Sequence, residues 1–255
     1  MAWNPEIYNK FRDERYEPFY DLLSLIQINQ GLNVIDLGCG TGELTRKLAD
    51  RLPGSNVIGI DSSSEMLKET GNYSNNNLKF QQTDIRQIIE AKNKYDLVFS
   101  NAALQWVDDH QKLIPQIIGL VKKNGQLAIQ VPSNHTHFTH KTLHELASEE
   151  PYQLALHGWI RKVPVLHIES YAQIFSEFGC SEMTIYEKLY PHVLKNADAV
   201  FDWVSGTAML RYLERLPENL KESFVKEYKQ RLHAKYGNSK PVFYSFKRII
   251  MSAVF

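Results

Sequence analysis

The sequence predicts an α/β fold, with a doubly wound, mostly parallel sheet and a helical cap inserted between late strands. Three observations carry that reading. Short apolar runs alternate with helix-length segments through the first half of the chain, as βαβ crossovers require. A glycine-rich stretch, Gly38-Cys39-Gly40-Thr41-Gly42, sits where the first apolar run ends and the first helical pattern begins. Late in the chain, a helical block separates two strand-like segments.

Taken in order, Val34-Ile35-Asp36-Leu37 reads as a buried strand, Gly38 to Gly42 as a loop and Glu43 to Leu52 as a helix. Val57 to Ile60 is a second strand, followed by a helix from Ser64 to Asn72. Leu78-Lys79-Phe80 is the third strand and Asp96 to Ser100 the fourth. A helix from His110 to Val121 leads to a fifth strand, Gln126 to Val131. The second half is less regular. Glu145 to Pro164 reads as a helix end and a loop, and Ser170 to Phe178 as a helix stopped by Gly179. Met183 to Tyr190 alternates as a strand does. Asp198 to Leu216 reads as helix with a break near Gly206. Leu220, Phe224, Tyr228, Leu232 and Tyr236 recur every four residues, which makes one apolar helical stripe. Val242 to Phe255 is β-rich and closes the chain. The expected organisation is a single domain over 1–255, with a helical lid segment at 1–25 and a helical substrate-side cap at 191–238.

Composition narrows the function. Lys plus Arg equals Asp plus Glu at 29 each, a balance that argues against bulk nucleic-acid or anionic-membrane binding. With 43% hydrophobic and 23% charged residues, the chain has the make-up of a soluble globular protein. No apolar run approaches the roughly 18 to 20 residues of a membrane span. Met1 to Glu6 lacks the basic and apolar regions of a signal peptide. Cys39 and Cys180 form no metal or redox spacing, so a reduced cytoplasmic setting is expected.

The glycines point to a ligand. They let backbone approach a bound molecule closely, and the C-terminal edge of a parallel sheet is where α/β folds bind ligands. Asp61 ends the second strand, at a spacing that suits an acid accepting hydrogen bonds from ribose hydroxyls. A dinucleotide site reads G-x-G-x-x-G; here the pattern is G-x-G-x-G, with Asp36 two residues before it. An acid at that point repels a pyrophosphate and suits a cation.

The run Asp36-x-Gly38-x-Gly40-x-Gly42 resembles the first motif of the class I S-adenosylmethionine-dependent methyltransferases. That resemblance implies a Rossmann-like methyltransferase sheet with a late antiparallel strand, and S-adenosylmethionine as methyl donor. It assigns Asp61-Ser62 to the ribose, with Met66 near the adenine. Thr83-Asp84-Ile85 goes to the adenine amine. Ser100-Asn101-Ala102-Ala103-Leu104-Gln105-Trp106 is the segment beside the sulfonium and substrate. The cofactor set is therefore Asp36, Gly38, Gly40, Asp61, Ser62, Met66, Asp84, Ile85, Asn101 and Ala102.

The flanks resemble the trans-aconitate 2-methyltransferases: Trp3-Asn4-Pro5, Tyr8, Phe11, Glu14-Arg15, Leu104-Gln105-Trp106, Asp109-His110, Thr139-His140, Trp203-Val204 and Phe246-x-Arg248. This implies methyl transfer to a carboxylate of a small polycarboxylate. A carboxylate is already ionised at neutral pH, so no catalytic acid or base is expected, only alignment. Arginines should hold a polyanion, with Arg15 and Arg211 as candidates ahead of Arg12, Arg161 and Arg248. Trp3 and Tyr8 are placed as a lid, Gln105 and Trp106 beside the transferred methyl, and His110 as a carboxylate-orienting group, with Trp106 equally readable as a core anchor and His110 as a surface residue. Two segments depart from the family pattern. Ala208-Met209-Leu210-Arg211 stands where members carry Gly-Leu-Arg-Pro, and Pro132-Ser133-Asn134 where they carry Pro-Asp-Asn. The malonyl-carrier methyltransferases of biotin synthesis share the Leu-Gln-Trp element, and an acyl carrier protein would be the partner in that case. A nicotinamide oxidoreductase would need a different glycine pattern, and a silent S-adenosylmethionine-binding module is the nonenzymatic alternative. His135, His137, His140 and His144 cluster without a cysteine nearby; solvated or substrate-contacting histidines are expected there, and no metal.

Overall fold

The computed structural model describes residues 12–237 and 240–255, with the side chains of residues 12–15 not described. Seven strands form one sheet in the order β3-β2-β1-β4-β5-β7-β6. They are β1 (Asn33–Leu37), β2 (Asn56–Asp61), β3 (Leu78–Gln82), β4 (Tyr95–Asn101), β5 (Val121–Pro132), β6 (Glu182–Leu194) and β7 (Val242–Val254). The β1–β2, β1–β4, β2–β3 and β4–β5 pairs are parallel. β7 runs antiparallel to β5, from Gln126↔Val254 to Pro132↔Arg248. The strand order reverses at β1 and β4, so the carboxyl ends of these strands form the switch point at which such sheets bind ligands.

The central strands are nearly continuous apolar runs because helices cover both faces. Ile35, Leu37, Ile60, Val98, Leu127 and Ile129 are buried in one core. The helices are α1 (Arg12–Ser24), α2 (Glu43–Arg51), α3 (Ile85–Ala91), α4 (His110–Ile118), α5 (Phe138–Ala147), α6 (Tyr152–Ala155), α7 (Ile168–Glu177), α8 (Ala197–Ser205), α9 (Leu210–Leu213) and α10 (Glu218–Tyr236).

Several elements differ from the sequence reading. The segment after β2 is a 3₁₀ helix over Met66–Asn72, not an α-helix from Ser64. The sequence reading leaves the β3–β4 crossover without a helix, yet α3 fills it. Its start is fixed by a capping box: the Asp84 carboxylate accepts from Arg86 N–H at 2.8 Å, and Gln87 accepts from Asp84 N–H at 3.1 Å. α4 ends at Ile118, and β5 begins at Val121, earlier than Gln126. Gly179 (φ +76°) stops α7 as expected, and the break near Gly206 separates α8 from α9.

The chain divides into two compact units. One takes in Glu17–Pro132, Pro164–Lys188 and Arg248–Phe255, and holds the glycine loop. Among the described residues, the other takes in Ser133–Val163 and Leu189–Lys247. In the second unit the stripe on α10 is realised: Phe224, Tyr228 and Leu232 are fully buried, and the helix packs on α8 and α5.

Candidate active site

The glycine loop leaves β1 and turns into α2. Gly38 and Cys39 both donate main-chain N–H to Ile60 O at 2.8 Å, which pins the loop to β2. Gly38 has φ +87°, and a Cβ there would lie 2.2 Å from Ala103 Cβ. Any side chain would therefore push the loop away from the end of β4. Gly40 (φ +56°) packs against the Met66 side chain. Asp61 ties the two strand ends together: one carboxylate oxygen accepts from Gly40 N–H at 3.0 Å and the other from Ser63 N–H at 2.9 Å. Each oxygen keeps a second lone pair, and Asp61 remains partly exposed.

Asp36 lies beneath this loop, 3% exposed. Its Oδ2 accepts from the Thr45 hydroxyl at 2.6 Å, and its Oδ1 has no partner. Burial pushes its pKa up to about 7; the Thr45 hydrogen bond opposes the rise and the nearby Asp61 charge adds to it. A cationic or N–H-bearing ligand would supply both the missing partner and the charge that restores ionisation. Burial, with Asp36 and Asp61 beside it, likewise pushes the Cys39 thiol up, so Cys39 is a small buried packing group.

Across the switch point, Ala102 adopts φ +53°, an uncommon conformation for a residue with a Cβ. Its N–H donates to Gln130 O at 3.0 Å, and its carbonyl accepts from Gln105 Nε2 at 2.6 Å. Asn101 Oδ1 and Gln105 Oε1 are buried without a hydrogen-bond partner. Asp36, Asn101 and Gln105 thus present three unpartnered acceptor atoms at the carboxyl ends of β1 and β4, a set that fits a donor-bearing cationic ligand.

Other expected site residues have structural contacts of their own. Asp84 is exposed and caps α3 with Oδ1. The Ile85 side chain packs in the core, so only its main chain is available to a ligand. Ser62 is exposed, and its carbonyl accepts from Gln82. Trp106 is 42% exposed and is no core anchor. His110, expected at the surface, is 1% exposed. Its Nε2 lies 2.9 Å from Leu104 O and its Nδ1 2.5 Å from Tyr171 OH. Burial lowers its pKa and so favours the neutral ring. A carbonyl can only accept, so Nε2 carries the proton and Nδ1 accepts from the Tyr171 hydroxyl. Tyr171 in turn accepts from Leu166 N–H at 3.1 Å. Both ring nitrogens are therefore occupied, and His110 holds the Leu104–Trp106 turn.

In the other unit, Arg211 on α9 pairs with Glu214, just past the helix end, at 3.4 Å. The histidine cluster converges around His140, whose pKa is lowered to about 3 by burial and then by His137, Arg161, His144 and His135. Among the described residues no group of three or more His, Cys, Asp or Glu could hold a metal ion. Trp3 and Tyr8 lie outside the described residues, as do the side chains of Arg12 and Arg15.

A glycine loop at the switch point of such a sheet, with acids at the ends of β1 and β2, defines a methyltransferase-type site. The model of the methyltransferase domain family matches residues 28–198. The chain is 38% identical to a trans-aconitate 2-methyltransferase from Deinococcus radiodurans, over 99% of this chain and 98% of the relative. It is 35% identical to the enzyme of that name from Escherichia coli O1:K1, over 92% and 90%. Among solved structures, the YcgJ protein of Bacillus subtilis shares the fold with a TM-score of 0.58 at 13% identity, covering 94% of this chain and 98% of that one. The chain belongs to the trans-aconitate 2-methyltransferase family of methyltransferase-domain proteins.

Proposed function

We propose that the chain transfers the methyl group of S-adenosylmethionine to a carboxylate of trans-aconitate by direct in-line displacement. One observation carries the reading: relatives named for this activity are 38% and 35% identical to the chain over nearly its whole length, and the unpartnered acceptors at Asp36 and Asn101, on the strand ends beside the glycine loop, agree with it. S-adenosylmethionine supplies a methyl group activated on a sulfonium. The chain's residues bind and align. Asp61 accepts from the ribose hydroxyls with the lone pairs left by Gly40 and Ser63. Met66 packs against the loop on the adenine side. Asp36 answers the positive charge from beneath the loop, and Ala102 and Gln105 shape the wall past β4.

The substrate carboxylate is ionised at neutral pH, so its oxygen attacks without a general base. One carbon–oxygen bond forms as the carbon–sulfur bond breaks, and the electron pair leaves on sulfur. Alignment of oxygen, methyl carbon and sulfur can supply several kcal/mol of the barrier lowering. Arg15 and Arg211 are proposed to hold the remaining carboxylates, and Trp3 and Tyr8 to cover the cofactor. Two free cysteines support a cytoplasmic setting, and among the described residues no helix is long and apolar enough to cross a membrane. The test is methyl transfer from labelled S-adenosylmethionine to trans-aconitate, cis-aconitate, isocitrate, citrate and a malonyl thioester on its carrier. Preferred turnover of trans-aconitate is expected. Preferred turnover of the malonyl thioester would overturn the substrate assignment.

A further inference from the structure

We propose that Gln130 is a substrate-positioning residue whose side-chain amide donates a hydrogen bond to the methyl-accepting carboxylate. The inference rests on the carboxylate reading above. Gln130 is 1% exposed, yet neither its Oε1 nor its Nε2 has a hydrogen-bond partner. Because both ends are unpaired, the conclusion does not depend on which terminal atom is nitrogen. A buried amide with neither end satisfied is costly, and native structures hold few of them.

The same strand shows that this cost is avoidable. Gln126 lies four residues earlier on the same face of β5 and is fully paired. Its Oε1 accepts from Gln27 N–H at 2.9 Å, and its Nε2 donates to Leu25 O and Ser252 Oγ, both at 2.7 Å. What separates the two glutamines is position. Gln126 sits at the amino end of the paired stretch, whereas Gln130 sits at the carboxyl end, beside Asn101 in register and bonded through its carbonyl to Ala102 N–H. Asn101 and Gln105, the next links in that chain of contacts, also carry unpartnered oxygens. The unpaired amide is therefore continuous with the segment that follows β4, at the edge where parallel sheets bind ligands.

The charge carried on the same sheet face indicates what the amide takes. Arg248 is buried and stands opposite Pro132 on β7, on the same face as Gln130. A carboxylate is an acceptor for the amide N–H on a sheet face that also carries a buried cationic side chain. The amide binds the oxygen that does not attack and so fixes the rotation of the carboxylate about its carbon–carbon bond.

Gln130→Met tests this because the two roles predict opposite signs. Removing an unsatisfied buried amide at nearly constant shape should raise the melting temperature of the ligand-free protein by roughly 2–4 °C. The KM for trans-aconitate should rise about 10- to 100-fold, the worth of a hydrogen bond to a charged group, with the KM for S-adenosylmethionine unchanged. A readout without turnover runs beside it: with S-adenosylhomocysteine bound, trans-aconitate should raise the melting temperature of the unsubstituted protein and not that of the variant. Gln130→Glu should lose more, because it sets like charge against the substrate. Retained S-adenosylhomocysteine binding shows that each variant is folded. An unchanged KM for trans-aconitate, at any stability, overturns the role of Gln130 alone. If the unsubstituted protein neither turns over nor is stabilised by any carboxylate of the panel, the substrate reading falls and this inference with it.

Discussion

Replacing Asp36 by asparagine should make the ligand-free protein more stable and the cofactor complex weaker. Asp36 is buried with one oxygen unpartnered, and its pKa is raised from 3.8 to about 7. The folded protein therefore holds a proton that the unfolded chain releases. This acid's effect on stability is most favourable at low pH and declines as pH rises from about 4 to about 7. A difference of about 3 pKa units corresponds to about 4 kcal/mol of penalty above pH 7, of which about 3 kcal/mol develops between pH 5 and pH 8. The side-chain amide introduced by Asp36→Asn could still accept from Thr45 and would carry no charge, so the variant should escape most of that penalty. The assay is urea unfolding of both proteins at pH 5 and pH 8. Histidine contributions are common to both proteins, so the difference between them isolates Asp36. The gain should be larger at pH 8 by about 2–3 kcal/mol, while the dissociation constant of S-adenosylmethionine at pH 8 rises at least tenfold. Equal stability of the two proteins at pH 8, or a difference independent of pH, would refute the reasoning.

Three further outcomes are expected. Asp61→Ala removes the acceptor shared by Gly40 and Ser63 and should weaken S-adenosylhomocysteine binding by about 1–3 kcal/mol in calorimetry; unchanged affinity would exclude a ribose contact. Gly38→Ala places a methyl 2.2 Å from Ala103 Cβ at φ +87° and should cost about 2–4 kcal/mol in urea unfolding; a neutral result would mean that the loop can shift. His140 has a pKa lowered to about 3, so the unfolded chain takes up a proton near pH 6.5 that the folded protein refuses. Stability should then fall by about 2 kcal/mol between pH 7 and pH 5 from this group, and His140→Asn should remove that component relative to the unsubstituted protein.

Much of the fold was legible because the strands of a parallel sheet are apolar on both faces. Val34–Leu37, Val57–Ile60 and Asp96–Ser100 stand out for that reason. The glycine loop and Asp61 were legible because few other arrangements place those residue types at successive strand ends. α3 was missed because it is a seven-residue helix, too short to show a period. Its signal was Asp84 with Gln87 three residues on, a capping pair readable in sequence. The burial of His110 is not legible because a histidine beginning a helix carries no mark of it; its partner Tyr171 lies 61 residues away. Gln130 did carry a signal, as a lone amide within Leu127-Ala128-Ile129-Gln130-Val131. Nothing in the sequence, however, distinguishes it from Gln126, which the fold satisfies.

The central claim is that a methyl group moves to a carboxylate oxygen of trans-aconitate. The most direct measurement is nuclear magnetic resonance of the product formed from S-adenosylmethionine carrying a ¹³C methyl group. The account predicts one new ester O–methyl signal correlated to a single trans-aconitate carboxyl carbon, in amounts matching the S-adenosylhomocysteine released. A label found on carbon, nitrogen or a thioester substrate, or S-adenosylhomocysteine released without a methylated acid, would contradict it.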